Sequence, residues 1–207
     1  MFITLEGPEG SGKTGQLEAL AEELTRREYS VLKTREPGGT PIGDQIRETI
    51  LDLENTAMVD RTEALLLQAS RAQLVEEVIK PALELGTIVI CDRYADSTLA
   101  YQGYGYQKDL DSLRKIIDYA TGGLKPDLTV LLDIDPEIGL RRRTRAGNFN
   151  RLDALDLAFH QRVRAGYQAL VRAEPERWEV IDAGQSFARV QEDLLAVVLR
   201  KLESQPA

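Results

Sequence analysis

Gly7-Pro8-Glu9-Gly10-Ser11-Gly12-Lys13-Thr14 is the stretch on which the reading of this chain turns. It matches G-x-x-x-x-G-K-[ST] and lies between the apolar run Phe2–Leu5 and an amphipathic pattern over 13–28. Strand, glycine-rich turn and helix, in that order, bring backbone N–H groups around phosphate oxygens with the positive end of the helix dipole behind them. The spacing predicts a nucleotide-phosphate site built from Gly7, Pro8, Glu9, Gly10, Ser11, Gly12, Lys13 and Thr14. Lys13 is placed to reach the β- and γ-phosphates, and the Thr14 hydroxyl to ligate Mg²⁺.

Outward from this loop the same alternation repeats. Apolar runs of strand length occur at Phe2–Leu5, Val31–Thr34, Ile88–Cys91, Leu128–Leu132 and Trp178–Ile181. They are continuous rather than alternating, the pattern of strands buried on both faces. Between them the pattern predicts helices near 13–28, 41–52, 61–85, 111–121, 136–146, 152–174 and 187–202. The expected fold is therefore α/β, a five-stranded parallel sheet between helices, with no internal repeat or linker dividing the 207 residues. Ligands of such sheets sit at the carboxyl ends of the strands. There the chain carries the phosphate loop, Arg35-Glu36-Pro37, Asp92-Arg93-Tyr94, Asp133 and Asp182-Ala183-Gly184. The stretches Glu36–Pro41 and 146–150 read as loops, and 203–207 as a frayed tail.

The formal net charge is −8, which argues against a polymeric nucleic acid as partner, so an anionic small substrate must be met by local cations. Cys91 is the single cysteine, which excludes an intramolecular disulfide and fits a reducing compartment. No leader-like segment and no apolar run long enough to span a membrane is visible, so the expected location is the cytoplasm.

Several residues point to a second anion site. Asp92 or Asp133, each beside a strand end, can hold Mg²⁺ opposite Thr14; Asp92 is favoured because Arg93 beside it offers a bidentate fork for phosphate. On the helix over 61–85, Ala64, Leu67, Leu74 and Val78 share a face, and Arg71 falls inside that stripe. A guanidinium there needs a partner, either a structural one such as Glu63 or a backbone carbonyl, or the planar edge of a ligand. Arg47 is either a phosphate contact or an exposed helical cation. Arg141, Arg142, Arg143, Arg145 and Arg151 crowd eleven positions of an acidic protein, which predicts a lid near 141–151 closing over a transferring phosphoryl group. Two anion sites and a basic lid describe a kinase of a phosphorylated acceptor, whose phosphate needs no general base. The only histidine, His160, is expected to pack or cap within its helix.

Over nearly its whole length the chain resembles bacterial thymidylate kinases. The resemblance is carried by Glu6–Thr14, Thr34-Arg-Glu-Pro-Gly-Gly-Thr40, Asp92-Arg-Tyr-Ala-Asp-Ser-Thr-Leu-Ala-Tyr-Gln-Gly103, Lys125-Pro-Asp-Leu-Thr129 and the arginine-rich lid. It implies a P-loop NTPase fold, three layers α/β/α as one kinase domain over 1–207, and phosphorylation of dTMP by ATP with Mg²⁺. It implies that Glu9 meets the sugar 3′-hydroxyl and that Arg47 and Arg93, assisted by Arg35, hold the acceptor phosphate. Arg71, Thr98 and Gln102 would read the thymine edge, with Pro37 and Leu67 packing on the base, and Tyr101 would crowd the 2′ position. Gly10 stands where some members carry an arginine, so the catalytic cations fall to Lys13, Arg93 and the lid residues Arg143, Arg145 and Arg151. The resemblance also implies a homodimer formed partly through 61–85. Three positions depart from the pattern: Leu67 replaces a stacking phenylalanine, Gly15 a hydroxyl residue, and Asn150-Arg-Leu-Asp153 stands for Asp-Arg-Leu-Glu. Leu67 leaves dUMP or another monophosphate open as acceptor, and a protein that binds ATP without turnover is the remaining alternative.

Overall fold

The computed structural model describes residues 1–147 and 151–204. The expected loop at 146–150 and tail at 203–207 thus lie partly outside the described residues, as does Asn150. Five strands, β1 (Phe2–Glu6), β2 (Val31–Arg35), β3 (Ile88–Asp92), β4 (Leu128–Asp133) and β5 (Trp178–Asp182), pair in parallel in the order β2-β3-β1-β4-β5. Each ends one residue beyond the apolar run that announces it. The added residues Glu6, Arg35, Asp92, Asp133 and Asp182 are all charged, so they belong to the sheet edge itself rather than to the loops that follow. The expectation of strands buried on both faces holds for β1 and β4 and for most of β3; β2 and β5 close the two edges and stay partly exposed.

Alternation along β1 divides the core. Ile3 and Leu5 face α1 (Lys13–Arg26) and α9 (Phe187–Glu203), packing on Leu17, Leu20 and Leu194. Phe2 faces the other way, against Leu74, Val75 and Ile79. On that second side stand α3 (Asp60–Leu74), α6 (Leu110–Thr121) and α8 (Leu157–Ala173), with Tyr101, Phe159, Val163 and Tyr167 buried between them. α2 (Pro41–Leu51) begins at Thr40, whose side chain accepts the Gly43 N–H at 3.0 Å, with Pro41 in the first helical position.

Three helices differ from their sequence patterns for local reasons. The pattern over 61–85 is a single rod, but Val75–Ile79 is wound as a π-turn between α3 and α4 (Lys80–Glu84). Pro81 lacks an N–H and its ring crowds the carbonyl four residues back; a wider turn ahead of it removes the clash. α8 starts at Leu157 rather than 152 because Asp156 caps it, accepting the Phe159 N–H at 2.7 Å. A helical segment absent from the expectations, α5 (Ala95–Thr98) running into a π-turn over Leu99–Gly105, follows β3. Finally, α7 (Pro136–Ala146) is capped by Asp135 and ends at Gly147 in the left-handed region.

Candidate active site

α1 opens at Gly12, whose φ is +87° and which offers no side-chain cap, and no acidic residue occupies the first turn. Its N-terminal N–H groups are left for an anion. Lys13 is buried behind this turn, donating to the carbonyls of Gly7 and Pro8, both at 3.0 Å, and to Ser11 Oγ at 3.1 Å. Burial, reinforced by Arg93, lowers its ammonium to about 8. Thr14 Oγ1 donates to Asp92 Oδ2 at 2.7 Å, so one hydroxyl and one carboxylate meet at the mouth of the loop. Asp133, the other acidic strand end considered for that role, is taken by Arg164, whose Nε and Nη2 lie 2.8 and 2.9 Å from its two oxygens.

The loop opens on a cavity of about 550 Å³. Glu9, Gly10, Gly12, Lys13 and Thr14 line one end, Arg35, Arg47, Arg93 and Asp92 the middle, and Pro37, Leu67, Arg71, Thr98, Tyr101 and Gln102 the other. Arg142 and Arg143 close it from the side of α7. Gly7, Pro8 and Ser11 are buried in the loop behind the lining.

Arg93 adopts φ +71°, a left-handed conformation unusual for a side-chain-bearing residue. Its guanidinium is held on every side. Nη1 donates to Gly7 O, Ser97 Oγ and Tyr167 Oη, and Nη2 to Glu9 Oε1 at 2.8 Å and Tyr101 Oη at 3.0 Å. Strain at one φ is maintained by five surrounding groups, as happens where orientation is functional. Burial opposes the charge of Glu9, but Arg93, Lys13, Arg143 and the Tyr101 hydroxyl outweigh it and bring the carboxyl down to about 2. Arg47 leans on the Pro37 carbonyl at 2.8 Å, and Arg35 on Asp44 at 2.9 Å.

Arg71 is 1% exposed, and among the structural partners considered it has a backbone carbonyl, that of Tyr94, but its carboxylate is Glu36, just after β2, rather than Glu63. Nε is 2.8 Å from Glu36 Oε2, Nη1 reaches Gln68 Oε1 at 2.7 Å and Thr98 Oγ1 at 3.0 Å, and Nη2 reaches Glu36 Oε2 at 2.5 Å and Tyr94 O at 3.0 Å. All five donors are thus satisfied within the protein, and Glu36 holds the guanidinium charged against its burial. Helical spacing cannot reveal such a partner, because it sees only neighbours three or four residues away.

Glu63 serves other groups, Gln102 Nε2 at 2.7 Å and Arg151 Nη2. Arg151, grouped with the lid by sequence, also donates to Ile50 O at 2.9 Å and stays out of the cavity lining, as does the exposed Arg145. Of the cluster, Arg142 and Arg143 approach the phosphate loop. Arg142 donates to Ala183 O at 2.9 Å, and Arg143 forms a fork with Asp153 at 3.2 and 2.8 Å, with Nε 3.8 Å from Glu9. A further buried carboxylate escaped the sequence reading. Glu6 accepts the Tyr94 N–H at 2.7 Å, Ser97 Oγ at 2.6 Å and Tyr167 Oη at 2.9 Å. His160 is buried in α8 with Nε2 unpartnered, and burial lowers its imidazolium, which fits packing.

Gly10 and Gly139 show why α7 can sit on the loop. A Cβ on Gly10 would stand 2.0 Å from Gly139 O, and one on Gly139 would stand 2.1 Å from Glu9 O. Only two glycines permit this approach of the backbones.

A parallel five-stranded sheet, a phosphate loop on its first strand and cations converging from β2, α2, the end of β3 and α7 define a P-loop phosphotransferase. The family model described as thymidylate kinase matches residues 5–194. The thymidylate kinase of Roseiflexus castenholzii is 54% identical, with 100% of this chain and 96% of that protein covered. That of Deinococcus radiodurans is 52% identical, with 96% of each covered. The crystal structure of thymidylate kinase from Ehrlichia chaffeensis superimposes with a TM-score of 0.80 at 33% identity, covering 96% of this chain and 98% of that one. This chain belongs to the thymidylate kinase family.

Proposed function

We propose that this chain transfers the γ-phosphoryl group of ATP to dTMP, giving ADP and dTDP. The reading is carried by one observation, the polarity of the cavity wall at Thr98 and Gln102. Thr98 Oγ1 accepts from both Arg71 Nη1 and Gln68 Nε2, which fills its lone pairs and leaves its proton to donate. Gln102 Nε2 is held by Glu63, whereas its Oε1 is buried without a partner. A donor beside an orphan acceptor complements a base edge with a carbonyl next to an N–H, as thymine O4 and N3–H present. Cytosine presents the reverse polarity. Leu67 and Pro37 supply the apolar cover on the ring.

In this pose Arg93, Arg47 and Arg35 receive the acceptor phosphate, and Glu9 with Tyr101, 3.0 Å apart, meets the deoxyribose. An oxygen of the acceptor phosphate attacks Pγ, and the bond from Pγ to the bridging oxygen of ADP breaks. Lys13 and Arg143 neutralise the charge gathered on the equatorial oxygens, a mechanism of positioning and electrostatics. Thr14 Oγ1 and Asp92 Oδ2, already in contact, form a donor set that suits Mg²⁺, which takes one or two protein oxygens and completes its shell with phosphate and water. Held by Thr14 and Asp92, Mg²⁺ would supply positive charge to offset that of the phosphates. A homodimer through α3, a lid near 141–151 within a single domain over 1–207, and a cytoplasmic location belong to the same reading. Among the described residues no helix is long and apolar enough to cross a membrane.

The test is ADP release with ATP and Mg²⁺, offering dTMP, dUMP, UMP, dCMP and dGMP in parallel. Preference for dTMP is the expected result. Equal turnover of dCMP would overturn the reading of the wall, and release independent of any acceptor would overturn the kinase reading.

A further inference from the structure

We infer that Glu63 is a specificity-determining positioning residue, which fixes the orientation of the Gln102 amide so that the site accepts a hydrogen bond from the base and cannot offer one. This rests on the thymidylate reading above. An amide carries a donor at one end and an acceptor at the other, and packing alone barely distinguishes them. Here the donor end has one partner, Glu63 Oε1 at 2.7 Å, and the acceptor end has none. Glu63 is 1% exposed and ion-paired with Arg151, so it confronts Gln102 as an acceptor with nothing to donate. Turning the amide over would set Oε1 against that carboxylate. It would also send the NH₂ toward the base, the pattern that suits a cytosine N3 rather than a thymine N3–H. No other described residue hydrogen-bonds the Gln102 side chain, so the choice between the two faces rests on Glu63. The same carboxylate receives Arg151.

Glu63→Gln tests this with little change of shape. A glutamine at 63 can meet either face of Gln102, so the ratio of kcat/KM for dTMP to that for dCMP should fall by about tenfold, one hydrogen bond's worth of discrimination. A structural role alone would lower both acceptors together and leave the ratio unchanged, which would overturn the inference. If the unpaired Arg151 prevents folding, Glu63→Gln with Arg151→Gln, compared with Arg151→Gln alone, leaves no orphan charge and reads the same ratio. Wild-type enzyme that fails to phosphorylate dTMP would instead overturn the underlying reading. Wild-type preference for dTMP with an unchanged ratio in the variant would sink only the role of Glu63.

Discussion

Leu67 stands on the cavity wall where a stacking aromatic ring is the family's habit, and in the proposed pose its side chain would cover the base by dispersion alone. Offset stacking adds about 0.5–1.5 kcal/mol beyond area burial. Leu67→Phe is therefore expected to lower KM for dTMP by about two- to tenfold with kcat little changed, measured by steady-state kinetics. Glu6 makes a different prediction. Burial, with Asp96 nearby, pushes its carboxyl up to about 7 from the ordinary 4.5. The folded protein thus holds this proton more tightly than the unfolded chain, and the stability it supplies is complete below about 4.5 and lost as pH rises through about 7. Wild-type melting temperature should fall relative to Glu6→Gln as pH is raised across that window, by an amount reflecting about 1–3 kcal/mol. A difference independent of pH would count against the assignment.

At the scale of elements, the strands were legible because buried parallel strands are written as unbroken apolar runs, and five of the seven expected helices because their caps or periodicity survive in the sequence. Of the other two, the pattern over 61–85 missed the π-turn at Val75–Ile79, and that over 152–174 overran its start, since Asp156 reads as a polar position until its side chain is seen to cap. The helical turn carrying Tyr101 and Gln102 was not legible. Its two glycines look like loop formers, whereas they are there because a Cβ on Gly103 would stand 2.4 Å from Leu110 and one on Gly105 would stand 2.6 Å from Phe159. Close packing of α6 and α8 is a tertiary fact with no local signature. The phosphate loop was readable in full, being contiguous; Glu36, Glu6 and Tyr167 were not, because they reach their partners Arg71, Ser97 and Arg93 only through the fold. The seating of α7 is testable at Gly139. Gly139→Ala must push α7 off the Glu9 carbonyl, costing about 1–3 kcal/mol and lowering kcat through Arg143, as thermal melts and kinetics together would show.

Across the whole molecule, net charge and local charge have opposite signs. The chain carries −8 overall, yet arginines from β2, α2, the end of β3 and α7 converge on one cavity. The excess carboxylates lie elsewhere, while the cavity concentrates anions locally. Leu65, 53% exposed on the outer side of α3, is the apolar residue a homodimer through this helix would cover. Leu65→Arg should shift the sedimenting species from twice the chain mass to once, and an unchanged mass would remove α3 from the interface.

The contact between Gly10 and Gly139 amounts to a rule of exclusion. The carbonyl of one residue occupies the volume into which a side chain on the other would grow. A phosphate loop bearing its own arginine at position 10 would have to give up this seating of α7, and with it the present reach of Arg142 and Arg143. Loop-borne and helix-borne cations are therefore alternative solutions to one electrostatic problem, and a chain that adopts one has spent the space the other requires.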